Sequence, residues 1–385
     1  MLEPMRRLFM KLTLGFLTTL LISSCTPKVY QPLAIKSIDL PRDDANHLAP
    51  IEWWYYTGHF YDNDNNRYGF ELTFFKTYLP RSLKLFGAIP AYFLIEKIHV
   101  GHFAITDFNN ESFELAQKAD FWAYPSYSSS TGLNVGISNW YAKRAADGES
   151  HEIFATLGDK AIHFILSPEK PVAAHGNPPG IQSMGKAGVS YYISYTRMNL
   201  RGDLLTNCVL TICEKTAVMG QAWHDHQWGN FSLEKFAGWD WFSMQFENGT
   251  ELMLYLIRQP DGSFSDIAGS FIDKDGKLVT IKKEDVELSI KKVWQSEKTG
   301  AIYPLGWNLK IDRLNINVDI EAALDQQEMD TRASTGIVYW EGAVDISGNR
   351  SGVGYVELTN YDLYPYGKTD ADTKLKANRL LKDFH

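Results

Sequence analysis

The sequence predicts an all-β protein of two tandem antiparallel β-barrels with few short helices. Three observations carry this. Short aromatic and β-branched runs recur along the chain, each bounded by Asn, Asp, Gly or Pro, which is the signature of half-buried strands joined by turns. Helical periodicity is confined to the neighbourhood of Ala371–Leu381. The run from Trp53 to Lys76 also lies beside the run from Trp239 to Arg258, with Trp53 on Trp239, Phe60 on Phe246 and Lys76 on Arg258. Self-similarity at that separation suggests two related β-domains.

The chain begins with Arg6, Arg7 and Lys11, then an apolar run from Leu12 to Ile22, then Ser23-Ser24-Cys25. This is the layout of an export signal, and the run is too short to span a bilayer as a helix. Residues 1–24 are therefore expected to be removed. Residues 25–48, with Pro27, Pro32 and Pro41 and few clustered apolar residues, read as a mobile tether. A first β-domain is expected over 49–215 and a second over 216–370, followed by a tail over 371–385 that includes the helical pattern. Glu52–Tyr61 and Tyr68–Phe75 read as a hairpin around Asp62–Asn66. Leu79–Tyr92, apolar and flanked by Pro80 and Pro90, reads as a lid or a buried loop. Later hairpins are read at Ser265–Ile272 with Leu278–Ile281, Trp307–Ile311 with Ile316–Ile320, and Ile337–Ile346 with Gly354–Thr359.

Charge excludes some partners. The net charge is -8; Arg6, Arg7 and Lys11 against Glu3 give the first 24 residues +2, leaving -10 for the rest. That sign argues against nucleic acid and against anionic lipid surfaces. Aromatic residues make up 14 % of the chain, a composition suited to strands and to the walls of apolar cavities. Cys208 and Cys213, five residues apart on what reads as one strand, should point to opposite faces and so not bridge each other.

The densest chemistry lies in Trp223-His224-Asp225-His226-Gln227-Trp228-Gly229, followed by Trp239-Asp240-Trp241. Strand alternation puts His224, His226 and Trp228 on one face and Trp223, Asp225 and Gln227 on the other. Three readings are open. The two histidines could ligate zinc with a third ligand from elsewhere. A carboxyl among tryptophans could be held protonated and act as an acid, with histidine passing the proton. The segment could also be a buried polar network bracing the fold. Asp240 has a salt bridge to Arg258 as its structural alternative. Glu52 and Glu341 repeat the theme of an acid beside tryptophan. No nucleophile elbow, phosphate loop or dinucleotide fingerprint is present.

These stretches resemble a known family. Glu52-Trp-Trp-Tyr-Tyr-Thr-Gly-His59, His102–Asp107, Gly220–Gly229, Gly238–Phe242 and Tyr339–Gly342 with Gly354–Thr359 are similar to the carotenoid 1,2-hydratase (hydroxyneurosporene synthase) family. The resemblance runs over about residues 45 to 365. It implies lipocalin-like barrels, a pocket between or within them, and no metal or organic cofactor. It also implies acid-catalysed hydration of an alkene in a hydrophobic, isoprenoid- or lipid-like molecule. On matching positions, Asp225 or Asp240 would be the acid, with His224 and His226 beside it and His226 as the water base. Trp228, Trp239, Trp241, Trp53, Trp54, Trp340 and Glu52 would shape the substrate site. Leu21–Cys25 resembles a lipoprotein cleavage site, which implies lipidation of Cys25 and, with Thr26 following, tethering at a bacterial outer membrane. The expectation is a monomeric, lipid-anchored hydratase. The alternatives are a non-enzymatic carrier of a hydrophobic ligand and a hydrolase using the His-Asp-His segment.

Overall fold

The structure, a computed structural model, describes residues 38–78, 84–85, 89–90, 97–122, 124–184, 188–209, 212–231 and 237–364. Eight strands build the functional region. β1 (Ile51–Asp62), β2 (Arg67–Tyr78), β3 (Gly188–Val209) and β4 (Ile212–Phe231) lie side by side in one sheet, in the order β2-β1-β4-β3. β5 (Gly238–Phe246), β6 (Glu251–Arg258), β7 (Val338–Gly348) and β8 (Gly352–Thr359) lie in a second, in the order β6-β5-β8-β7. All pairings within these groups are antiparallel. Further strands extend both sheets, and each curls around its own core. The described helices are 3-10 turns.

Alternation explains the two cores. In β1, Trp54, Tyr56 and Phe60 point inward and join Phe70, Leu72 and Phe74 of β2 in the first interior. The second interior is built likewise from Phe242, Met244 and Phe246 of β5 with Leu252, Leu254 and Leu256 of β6. The intervening residues face outward, and there the two barrels meet. Tyr55, Tyr192, Trp223, Trp241, Met253, Ala343 and Tyr355 form a third apolar cluster between them. Three buried histidines bridge the barrels. His59 Nε2 lies 3.0 Å from the Gly354 carbonyl, His102 Nδ1 lies 2.7 Å from the Tyr339 hydroxyl, and His175 Nδ1 lies 2.9 Å from Ser270 Oγ.

Three expectations are corrected. β4 pairs with β1 and β3 along its length, so residues 216–231 belong to the first sheet. The chain passes to the second sheet after Phe231, not at residue 215; a domain start at 216 would split one continuous strand. The end of the expected tether is docked rather than mobile. Ala45 and Ala49 are buried, Trp54 Nε1 donates to the Asp44 carbonyl at 3.1 Å, and Tyr195 and Arg144 donate to the Asp44 carboxylate. Cys208 and Cys213 are joined by a disulfide. They are not on one strand: β3 ends at Val209 and β4 begins at Ile212, with a register shift between the Thr206–Glu214 and Val209–Ile212 pairs. Asn207 takes a positive φ of 52°. The hairpin brings the two Cα atoms to 4.2 Å. The expected export signal, Cys25, the expected C-terminal helix and most of Leu79–Tyr92 lie outside the described residues; within that loop Lys84–Leu85 pairs with Ile89–Pro90.

Candidate active site

The barrels enclose a chamber of about 320 Å³ between their outer faces. That is the lower end of the range for small-molecule sites. Register explains its walls. Cross-strand partners share a face. Trp53 pairs with Gln227 and Phe75, and Tyr55 with Asp225 and Thr73, so β1, β2 and β4 deliver these side chains together. β3 adds Tyr192, opposite Gln227. From the other barrel come Trp239 and Trp241 of β5, Tyr255 of β6, Tyr339 and Glu341 of β7 and Glu357 of β8.

Asp225 is the best-supported carboxyl on the first wall. It is 3 % exposed. Its Oδ2 accepts the Tyr192 hydroxyl at 2.5 Å, and its Oδ1 accepts the Trp223 indole N–H at 2.6 Å and the Ser194 hydroxyl. Trp241 Nε1 donates to the Tyr192 oxygen at 2.9 Å. Burial pushes the Asp225 carboxyl up to about 7, and the three donors oppose but do not cancel it. Behind Ser194 stands His175, whose Nε2 lies 2.7 Å from Ser194 Oγ. Burial lowers His175 to about 3, so it is neutral.

The second wall carries two more acids. Glu341 is 1 % exposed, and its Oε1 accepts the Tyr55 hydroxyl at 2.5 Å. Burial, then the nearby Glu357 and Glu71, raise it well above the ordinary range. Glu357 is half-buried and accepts the Trp239 indole N–H at 3.1 Å. Burial raises it to about 7 despite that bond.

Asp225, Trp53, Trp239 and Trp241 thus reach the chamber, and six other expected site residues do not. His224, His226, Trp54 and Trp228 lie on the opposite face, because adjacent strand residues alternate. His224 Nδ1 bonds the Tyr55 carbonyl at 3.0 Å, and its ring stacks on Tyr56 at 4.0 Å. His226 sits between Trp54 and Trp228, with ring centroids 4.8 and 4.7 Å away. A hydrolase site that uses His224, Asp225 and His226 together is therefore not assembled, and for the zinc reading the described residues that gather around His226 are His47 and Glu52, without His224. Asp240 and Trp340 face the second interior. Asp240 accepts Arg258 Nη1 at 2.6 Å and the Tyr361 hydroxyl at 3.0 Å, which is the salt bridge open as its structural alternative. Trp340 packs in that core.

Glu52 borders the chamber, but its carboxylate serves a buried ion cluster. His226 Nε2 donates to it at 2.9 Å, His47 Nδ1 at 2.8 Å, and Lys76 binds its other oxygen. Burial alone would raise Glu52; the two imidazoles and the ammonium outweigh it and hold the carboxyl low. His47, Glu52 and His226 have the composition of a metal site, their ligand atoms lying within 4.8 Å of one another. Here both imidazoles already bond Glu52 Oε1 and Lys76 binds its Oε2, so the carboxylate is matched by protein groups. The sequence did not single out Tyr192, Ser194, His175 or Glu357. Ser194 and Glu357 are the strand partners of Asp225 and Glu341, Tyr192 lies beside Ser194 on β3, and His175 joins only through Ser194, so their signal lies in pairings across the chain.

Residues 31–361 match a protein family described as AttH-like. A solved structure from Nitrosomonas europaea assigned to AttH is 29 % identical, with a TM-score of 0.74, covering 86 % of this chain and 99 % of that one. Kievitone hydratase from Nectria haematococca is 15 % identical, with a TM-score of 0.64, covering 87 % and 96 %. CghA, solved with Sch210972, is 11 % identical, with a TM-score of 0.53, covering 87 % and 96 %. At those identities the last two share the fold. No curated protein matches the chain.

Proposed function

From the premise that this chain belongs to the AttH-like family, we propose that it is a hydro-lyase-type enzyme adding water to an alkene in a hydrophobic small molecule. The observation that carries the reading is the Asp225 carboxyl, buried at an aromatic wall and pushed up to about 7. Protonating an unactivated alkene needs an acid that is still protonated near neutral pH, and an apolar setting supplies one.

The reaction proceeds in two steps. Asp225 gives its proton to one alkene carbon, the π pair forming the new C–H bond. The other carbon becomes a tertiary cation, held against the faces of Trp239, Trp241 and Trp53. Water attacks that carbon, and the carboxylate of Asp225 takes the surplus proton back. The sum is substrate plus water giving a tertiary alcohol, with the acid regenerated. Tyr192, Ser194 and Trp223 hold the carboxyl in place through the exchange. Because one group both gives and takes, hydrogen and hydroxyl arrive on the same face. Fold support comes from kievitone hydratase, whose name states a hydration.

The chain is further proposed to be exported and tethered to a membrane through Cys25. The Cys208–Cys213 disulfide supports an oxidising compartment, where such bonds persist.

The test is incubation of the full chain with a membrane lipid extract in ¹⁸O-labelled water, followed by mass spectrometry. A product that has gained one labelled water supports hydration. A compound that is retained unchanged, with no labelled product, overturns it in favour of a carrier.

A further inference from the structure

In the proposed reaction the proton passes to and from Asp225, and Glu341 and Glu357 transfer none. These two are directly opposite each other on β7 and β8, facing the chamber. Like charges opposed across antiparallel strands destabilise a sheet, and unpaired buried charges cost more. Among the described residues no cationic side chain lies between them, and burial with repulsion from nearby carboxylates pushes both carboxyls toward the protonated form, which an arriving cation would reverse. Among the described residues, no ion pair involves Glu341, Glu357, Asp225 across the chamber or Glu71 behind it. Lys76 reaches the chamber wall, but its ammonium is engaged by Glu52, the His47 carbonyl and Asn46. Glu341 Oε2 is buried and has no hydrogen-bond partner. Buried polar atoms are rarely left so without a reason.

Rings surround these carboxyls. Tyr55, Trp239, Trp241 and Tyr255 line the same chamber, and Tyr55 and Trp239 already bond Glu341 and Glu357. Aromatic faces attract a positive charge most strongly when it is desolvated, and quaternary ammonium sites use them. We propose that Glu341 and Glu357, with these rings, form a subsite for a compact organic cation, an ammonium group carrying apolar substituents. The assignment rests on the hydration reading in one respect: the tertiary carbocation of that reaction would occupy this subsite, and an alkylammonium matches its charge and shape. The subsite also stands without that reaction, as the place where an amine ligand would be held.

Calorimetry of the full chain at pH 8 with benzyltrimethylammonium and with neopentylbenzene, its uncharged carbon isostere, tests this. The cation should bind about tenfold tighter or more. The Glu341→Gln and Glu357→Gln double variant should lose that preference while still binding the neutral isostere. An isostere that binds as well as the cation, or a double variant that keeps the preference, overturns the subsite. A chain that hydrates an alkene yet shows no cation preference overturns the subsite and leaves the hydration reading standing. A cation preference without turnover supports the subsite and leaves hydration to its own test.

Discussion

Asp225→Asn should stabilise the protein at high pH and abolish turnover. The folded carboxyl titrates at about 7 against an ordinary 3.8. The folded protein therefore binds this proton more tightly than the unfolded chain does. The group's contribution to stability is fully present below about pH 4 and is lost as pH rises through 7. Moving a midpoint from 3.8 to about 7 corresponds to about 4 kcal/mol, most of it lost between pH 5 and pH 8.5. An asparagine has nothing to ionise and still accepts from Trp223 and Ser194. Urea unfolding of both proteins at the two pH values should therefore show the wild type losing about 3 kcal/mol relative to the variant as pH rises. Infrared difference spectra, wild type minus variant, should show a carboxylic acid band at pH 6 that is gone at pH 8.5. A difference in stability that does not change with pH, or a band already lost at pH 5, would refute a raised Asp225 carboxyl and the acid role built on it.

Asp240→Asn should cost about 3 kcal/mol in denaturant melts by stranding Arg258 in the second core, while turnover per folded molecule stays the same. A loss of turnover there would return Asp240 to the list of acids. His175→Leu should leave the Ser270 hydroxyl without its His175 partner and Ser194 with only its bond to Asp225, costing about 1–3 kcal/mol. Hydrogen exchange should rise where β3 meets the second barrel. Reducing the Cys208–Cys213 bond should cost at most about 2 kcal/mol, because its loop is short. The change in exchange protection should stay at the β3–β4 tip rather than spread through the barrel.

The fold was legible because it is written in local patterns. Alternating runs such as Trp53–Phe60 and turn clusters such as Asp62–Asn66 declare strands and hairpins without reference to distant residues. The match of Trp53 to Trp239 had a structural counterpart, since both tryptophans line the chamber. Alternation alone also separates Asp225 from His224 and His226. What failed was whatever needed pairing across the chain. Cys208 and Cys213 looked misaligned until the hairpin between them was known. The partition at residue 215 overlooked that β4 completes the first sheet. His175, far from Asp225 in sequence, reaches it only through Ser194 on β3. Family motifs placed chemistry on His226 and Trp228, but the strand aims both at the ion cluster around Glu52.

The central claim is that Asp225 delivers a proton to an alkene carbon in the chamber between the barrels. The direct measurement is turnover of the hydrated compound in D₂O, by wild type and by Asp225→Asn, with the product examined by NMR. The account predicts one deuterium fixed on carbon, on the same face as the new hydroxyl, and no product from the variant. Undiminished turnover by Asp225→Asn, or a product without deuterium on carbon, would contradict it.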